Sequence, residues 1–137
     1  MTTRVLALFI LILLCPCTYA DIVVIVHPSN DSTITPKTIE NIYLGKTRKF
    51  PNGQKAVPIS LLRSADETVA FTEFYLQKTG NQLRSYWARM LFAGEGSPPI
   101  EYEDSEAIKK LVASNPEYIG FISADTVDNS VKVVANH

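Results

Sequence analysis

Residues 63–71 combine residue types and spacing that suit the binding of an oxyanion. They follow an apolar run at 57–62 that predicts a strand, and they open a run with helical spacing. The first backbone N–H groups of a helix have no partners inside it, and the helix dipole places about half a positive charge there. Arg63 can add a two-pronged contact to an oxyanion. We therefore predict an anion site with Arg63, Ser64 and Thr68 as its ligands.

The same helix start also fits a purely structural interpretation. Ser64 and Glu67 have the S-x-x-E spacing of a capping box, in which each side chain bonds the backbone N–H of the other residue. Asp66 and Glu67 in the first turn would also take up part of the favourable interaction with the helix dipole. From the residues alone, both interpretations remain open.

Enzymatic chemistry has much weaker support. Ser64, His27 and Asp66 can be combined into a catalytic triad on paper, but no nucleophile-elbow motif accompanies them. Both cysteines lie within residues 1–20, and the chain has only 2 histidines, so a metal site is not expected either. We expect a protein that is not an enzyme and that carries no cofactor.

Residues 1–20 have the features of a secretory signal peptide. Arg4 supplies a positive charge, residues 5–14 form an apolar run, and Ala20 is a small residue suited to cleavage. This run is short of the roughly 20 residues that span a bilayer. We expect cleavage near Ala20, and a mature domain over residues 21–137 that is periplasmic or secreted.

The charge of the mature domain argues against a nucleic-acid partner. Loss of Arg4 from the 13 basic residues leaves 12 against 14 acidic residues, a net charge of −2. Proteins that bind nucleic acids rely on clustered positive charge to neutralise phosphates.

Segments typical of strands and of helices alternate along residues 21–137, which predicts an α/β fold. Buried strands are predicted at residues 22–26, 57–62, 118–122 and 131–134. Helices are predicted to start at Thr35-Pro36, near residue 65, at Asn81 and at Asp104. This order predicts a single three-layer α/β domain with a mostly parallel sheet. Ligands bind such sheets at the carboxyl ends of the strands, where Leu62 and Arg63 lie.

Six motifs follow one another along residues 22–123. They are the strand and turn at 24–30, I-T-x-x-x-I-x-x-I-Y-x-G-K at 34–46, F-P-N-G at 50–53, P-x-x-x-x-R at 58–63, W-x-x-x-x-F-x-G-x-x-x-P-P at 87–99 and N-P-x-x-I-G-F at 115–121. In this order they resemble the phosphate-binding proteins of bacterial ABC uptake systems, which have the type 2 periplasmic binding fold.

The resemblance implies one lobe of a receptor that normally closes two lobes around its ligand. The implied ligand is inorganic phosphate or another small oxyanion, bound by Arg63, Ser64 and Thr68. Ser29 and Asn30, from the first loop, would contact it from across the cleft. The implied partners are an ABC permease or a second copy of the chain.

The sequence departs from this family at the predicted helix start. The family has R-x-x-G-S-G-T there, whereas this chain has Ser64-Ala65-Asp66-Glu67 in place of G-S-G-T. Two carboxylates would face an anion, and each like-charge contact at about 4 Å costs about 1 kcal/mol in water. The alternative to an anion receptor is therefore a non-transport interaction module of the periplasm that has lost ligand binding.

Overall fold

The computed structural model describes residues 21–137, so the predicted signal peptide lies outside the described part of the chain. The strands are β1 (Ile22–Val26), β2 (Val57–Leu61), β3 (Ile100–Tyr102), β4 (Tyr118–Ser123) and β5 (Lys132–Asn136). The helices are α1 (Pro36–Tyr43), α2 (Asp66–Tyr75), α3 (Gly80–Phe92) and α4 (Ser105–Ser114), with a short 3-10 helix at Ala124–Thr126. None of the helices within residues 21–137 has the length and apolar character that crossing a bilayer requires.

The five strands form one mixed sheet in the order β3-β2-β4-β1-β5. Strand β2 pairs in parallel with β3 and β4, whereas β1 pairs antiparallel with β4 and β5. The expectation of a mostly parallel sheet is therefore corrected to a mixed one. The reason is that a continuous β-branched run such as β1 predicts a strand buried on both faces, whether the strand is parallel or antiparallel to its neighbour. The pattern therefore does not indicate the direction of the strand.

Strand β3 was not predicted from the sequence. It has only three residues, lies at the edge of the sheet, and leaves Ile100 64% exposed. Such a strand has no apolar alternation long enough to reveal it, and it forms because β2 offers a free parallel edge to Ile100–Tyr102.

Local capping chemistry sets the starts of three helices. The Thr35 side chain accepts the N–H of Thr38 at 3.2 Å before Pro36, and the Asp104 carboxylate accepts the N–H of Ala107 at 2.8 Å, so both predicted starts are confirmed. The start predicted at Asn81 is wrong. Helix α3 begins at Gly80, because Thr79 and Gln82 form a reciprocal capping box.

Helices cover both faces of the sheet, which gives the three predicted layers. Successive residues of a strand point to opposite faces, and β4 shows both sides of this arrangement. Gly120 faces α4, since a Cβ there would meet side chains of Ile108 and Val112. Phe121 faces α2, where its ring stacks on Phe71 with 4.2 Å between centroids.

Tyr43, the last residue of α1, joins strands β2 and β4 just beyond the point where their pairing stops. The two strands pair only at Val57–Tyr118 and Pro58–Ile119, and Pro58 has no N–H to donate. The buried Tyr43 hydroxyl donates to the carbonyl of Ile59 at 2.8 Å and lies 3.1 Å from that of Ile119. Burial raises the pKa of Tyr43 well above its usual range.

Replacing Gly120 with Ala should lower the free energy of unfolding by about 1–3 kcal/mol, because it overpacks the contact between α4 and the sheet. The added Cβ would lie 2.6 Å from Ile108 Cγ2 and 3.4 Å from Ile59 Cγ1. Gly80→Ala is the matched control, since no atom lies within 4 Å of a Cβ at that position. Urea unfolding followed by circular dichroism measures both. Equal midpoints for the two variants would contradict the close packing at Gly120.

Replacing Tyr43 with Phe should lower the free energy of unfolding by about 1–3 kcal/mol at pH 7, because it leaves buried carbonyl groups without their donor. Since burial raises the Tyr43 pKa, the folded state favours the neutral phenol. The Tyr43 hydroxyl contributes its full stability below a pH of about 10, which is the pKa of tyrosine in an unfolded chain. This stability is lost as the pH rises above that value. The stability difference between the wild type and Tyr43→Phe should therefore shrink in alkaline urea titrations. Tyr118→Phe, at a partly buried tyrosine of β4 whose hydroxyl does not bond the carbonyls of Ile59 and Ile119, is the control.

Candidate functional site

Helix α2 begins at the carboxyl end of β2, at the position predicted for an anion site. Its N-cap is Ala65, in extended conformation, and no side chain caps the helix. The predicted Ser64–Glu67 capping box is therefore wrong, because the helix begins one residue later than that motif requires. The turn is closed by backbone bonds instead, with the N–H of Ala65 donating to Leu62 at 2.9 Å and that of Thr68 donating to Ala65 at 3.0 Å.

Three backbone donors at this helix start remain available. The N–H groups of Ser64, Asp66 and Glu67 make no hydrogen bond within residues 21–137. They stand at the positive end of a helix of 10 residues. The absence of a capping box therefore leaves the first turn of α2 with the donors that an oxyanion requires.

Thr68 supports the helix start rather than opening toward solvent. Its residue is buried, and its hydroxyl donates to the carbonyl of Leu62 at 2.7 Å. This bond ties the end of β2 to the first turn of α2. With its proton held in this way, the Thr68 oxygen can accept a hydrogen bond but cannot donate one to an anion.

Arg63 and Ser64 are both accessible. The Arg63 side chain is 64% exposed, and its Nε lies 4.0 Å from Oε1 of Glu101 on β3. Exposed pairs of this kind contribute about 1 kcal/mol or less, so Glu101 is a weak competitor for the guanidinium. Ser64 is exposed beside the free N–H groups. The structure thus places Arg63, Ser64 and Thr68 side by side at the start of α2, and their role as anion ligands stays a prediction.

Ser29 and Asn30 lie at the opposite ends of the strands from Arg63, Ser64 and Thr68. Strand β1 runs antiparallel to β4, with Ile22 opposite Ser123 and Val26 opposite Ile119, so β1 ends where β4 begins. The loop after β1 therefore lies away from the end of β2 and the start of α2. The expectation that Ser29 and Asn30 face Arg63 across one cleft is corrected by this register.

Both residues of this loop make local contacts instead. Ser29 Oγ lies 2.8 Å from Nδ1 of His27. Asn30 is buried, its side-chain oxygen accepts the N–H of Ser32 at 2.9 Å, and its carbonyl accepts Lys132 Nζ at 2.9 Å. His27 lies at the same end of the strands as Ser29 and Asn30, so the catalytic triad that combined it with Ser64 and Asp66 is not assembled.

A depression of about 450 Å³ lies beside the start of α2, at the carboxyl ends of β2, β3 and β4, and its lining is acidic. The depression is lined by the five carboxylates of Glu67, Glu103, Asp104, Glu106 and Asp125, together with Leu61, Ala65, Ser105, Ser123 and Thr126. A hydrogen bond from the hydroxyl of Ser123 and a weaker one from the hydroxyl of Thr126 lower the pKa of Asp125, so its carboxylate stays charged. The negative charge opposes an anion at the neighbouring helix start.

The acidic depression was missed from the sequence because its residues come from three separate segments. The sequence predicts Asp104 only as a helix cap, and nothing in it places residues 103–106 beside Glu67 or Asp125. Within the described residues, no group of three or more potential ligands is arranged to hold a metal ion.

Comparison with solved structures places this architecture among phosphate transport receptors. An ABC-type phosphate transport receptor from Vibrio cholerae aligns with a TM-score of 0.66 and 23% identity, over 85% of this chain and 47% of that one. A protein from Clostridium perfringens described as a phosphate ABC transporter substrate-binding protein, with bound phosphate, aligns with a TM-score of 0.65 and 28% identity, over 85% and 45% of the two chains. PstS from Borrelia burgdorferi aligns with a TM-score of 0.60 and 16% identity, over 85% and 47%.

No protein-family model and no curated protein matches the chain, so the likeness is one of structure. The chain spans about half the length of the structures that it resembles. The neighbours are transport receptors, and the match covers most of residues 21–137 in one continuous sheet with its helices. The described chain therefore has a fold like that of phosphate ABC transporter substrate-binding proteins, over about half of their length.

Proposed function

We propose that the protein is an exported, non-enzymatic binding component related to phosphate uptake, and that the start of α2 contacts a phosphate or similar oxyanion. The observation that carries this proposal is the set of free N–H groups at Ser64, Asp66 and Glu67, beside the accessible Arg63. Backbone donors at a helix start, with an arginine next to them, suit a tetrahedral oxyanion. The bound phosphate in the Clostridium perfringens neighbour supports this class of ligand.

The proposed binding by this lobe alone is weak. Asp66 and Glu67 occupy the first turn, and Glu67 also lines the acidic depression. Each carboxylate within about 4 Å of a phosphate costs about 1 kcal/mol in water, so two of them offset much of what the helix start contributes. The singly charged form of phosphate is favoured for the same reason.

The proposal also requires a second surface to complete the cleft. The chain covers 45–47% of its structural neighbours, and Ser29 and Asn30 do not reach the α2 start. An ABC permease or a second copy of the chain would supply the missing contacts. Export to the periplasm follows from the predicted signal peptide and agrees with a role beside a membrane transporter.

The acidic depression favours a second candidate function. Its five carboxylates surround the part of the sheet where ligands of α/β proteins bind, and they repel phosphate. In this alternative the lobe is a periplasmic interaction module that no longer binds an anion. Its carboxyl edge would then serve as a docking face for a basic partner surface.

Isothermal titration of residues 21–137 with inorganic phosphate separates the two functions. We expect the wild type to bind with a dissociation constant in the millimolar range, and Arg63→Gln to abolish the heat. Arg89→Gln, at an exposed arginine on α3, is the control and should bind like the wild type. Equal binding by Arg63→Gln and the wild type would contradict the assignment of the site.

The double variant Asp66→Gly with Glu67→Thr should bind phosphate about 10- to 30-fold more tightly than the wild type, since it removes two like-charge contacts of about 1 kcal/mol each. Heat from the double variant alone, with none from the wild type at millimolar phosphate, would favour the interaction module with a closed site. An absence of heat from both proteins would contradict an anion site at α2 altogether. Far-ultraviolet circular dichroism of each variant checks that the fold is retained.

A further inference from the structure

A second cavity, of about 290 Å³, lies between α2 and α3 and is separate from the acidic depression. Its walls come from both helices and from the β2–β3 side of the sheet, and Pro98 and Pro99 close one side. A volume near 300 Å³ is at the lower end of the range for small-molecule sites. The fold therefore provides a partly open cavity whose apolar walls the phosphate proposal does not use.

The interior of this cavity is mainly apolar and aromatic. Phe71 and Phe121 line it with stacked rings, and Tyr43 lies against Phe71 with 4.6 Å between centroids. Trp87 lines the α3 side and is itself buried. Leucines complete the walls: Leu76, Leu83 and Leu91. A flat aromatic molecule suits such walls better than a strongly hydrated ion, because it loses little hydration free energy when it leaves water.

One polar group inside the cavity has no partner in the protein. Thr72 is 5% exposed and lines the cavity, and its hydroxyl makes no hydrogen bond within residues 21–137. The hydroxyl is open to the cavity, since the only fully enclosed side-chain polar atom without a partner there is Nδ2 of Asn30. The accessible Thr72 hydroxyl can therefore donate a hydrogen bond to a bound polar group or accept one from it.

The charges that line the cavity are balanced. Arg63 and Arg84 contribute two positive charges, and Glu73 and Glu101 contribute two negative ones. Arg63 and Glu101 are already within 4.0 Å of each other. A charged ligand would gain from one pair and lose to the other, so the lining favours a neutral molecule.

We propose that the cavity between α2 and α3 is a binding site for a small, neutral, mainly aromatic molecule that has one polar group for the Thr72 hydroxyl. Trp87 and the exposed Leu91 contact the ligand above the buried rings of Phe71 and Phe121, and Thr72 fixes its orientation. The lining of the cavity includes Arg63 and Thr68 of the proposed phosphate site. The two proposals are tested with different ligands and different variants, so either can fail without the other.

The single tryptophan of the chain makes the site directly measurable. Trp87 is the only tryptophan, and it lines the cavity. N-phenyl-1-naphthylamine is a suitable probe, because it is neutral and aromatic, has one N–H for the Thr72 oxygen, and absorbs where tryptophan emits. We expect its fluorescence to rise saturably at one molecule per chain while the emission of Trp87 is quenched.

Two substitutions test the location of the probe. Ala88→Phe places a large side chain from an exposed position of α3 into the cavity lining, and should reduce binding at least tenfold. Ala93→Phe, at an exposed residue just after α3 and outside the lining, is the matched control and should bind like the wild type. Thr72→Val keeps the shape but removes the hydroxyl, and should weaken binding about two- to tenfold.

The outcomes divide clearly. Saturable binding that Ala88→Phe removes and Ala93→Phe retains supports the site, and weaker binding by Thr72→Val supports the role of the hydroxyl. Absence of saturable binding to the folded wild type would overturn the proposal. Binding that is equal in Ala88→Phe and the wild type would also overturn it, because the probe would then occupy another apolar surface. Circular dichroism and thermal unfolding confirm that each variant is folded.

Discussion

The hydrogen bonds of the Tyr43 hydroxyl hold together the two halves of the sheet. Strands β3, β2 and β4 form a parallel half, whereas β4, β1 and β5 form an antiparallel half, and β4 belongs to both. Only two residue pairs join β2 to β4, so the strands separate early. By reaching the carbonyls of Ile59 and Ile119, Tyr43 closes the gap from α1. The position of β2, and with it the start of α2, depends on this buried contact.

The start of α2 combines free backbone donors with negatively charged surroundings. The bond from Thr68 to Leu62 turns the chain from strand into helix without any side-chain cap. That leaves backbone donors free, yet the neighbouring carboxylates make the region negative. Shape and electrostatics thus oppose each other at this one turn. The balance depends on how completely a partner surface excludes water, since charge repulsion grows as the local dielectric constant falls.

The sequence predicted features that short segments determine. Thr35-Pro36 and Asp104 start helices because their capping chemistry is contained within a few residues. The grouping of Arg63, Ser64 and Thr68 was predictable for the same reason. The direction of β1 was not, because its apolar pattern is the same in both directions, and the error moved Ser29 and Asn30 to the wrong edge. The acidic depression depends on the order of the strands in the sheet, so no local sequence pattern predicts it.

The two edges of the sheet have a consequence for how copies of this protein meet. Strand β3 offers only three residues, and β5 pairs with β1 across an irregular register between Val24 and Ile25. Short and bulged edge strands are poor templates for adding a strand from another molecule. Ile100 is 64% exposed, but it lies on a strand too short to be a good template for a further strand. Association with any partner is then left to its helices and loops.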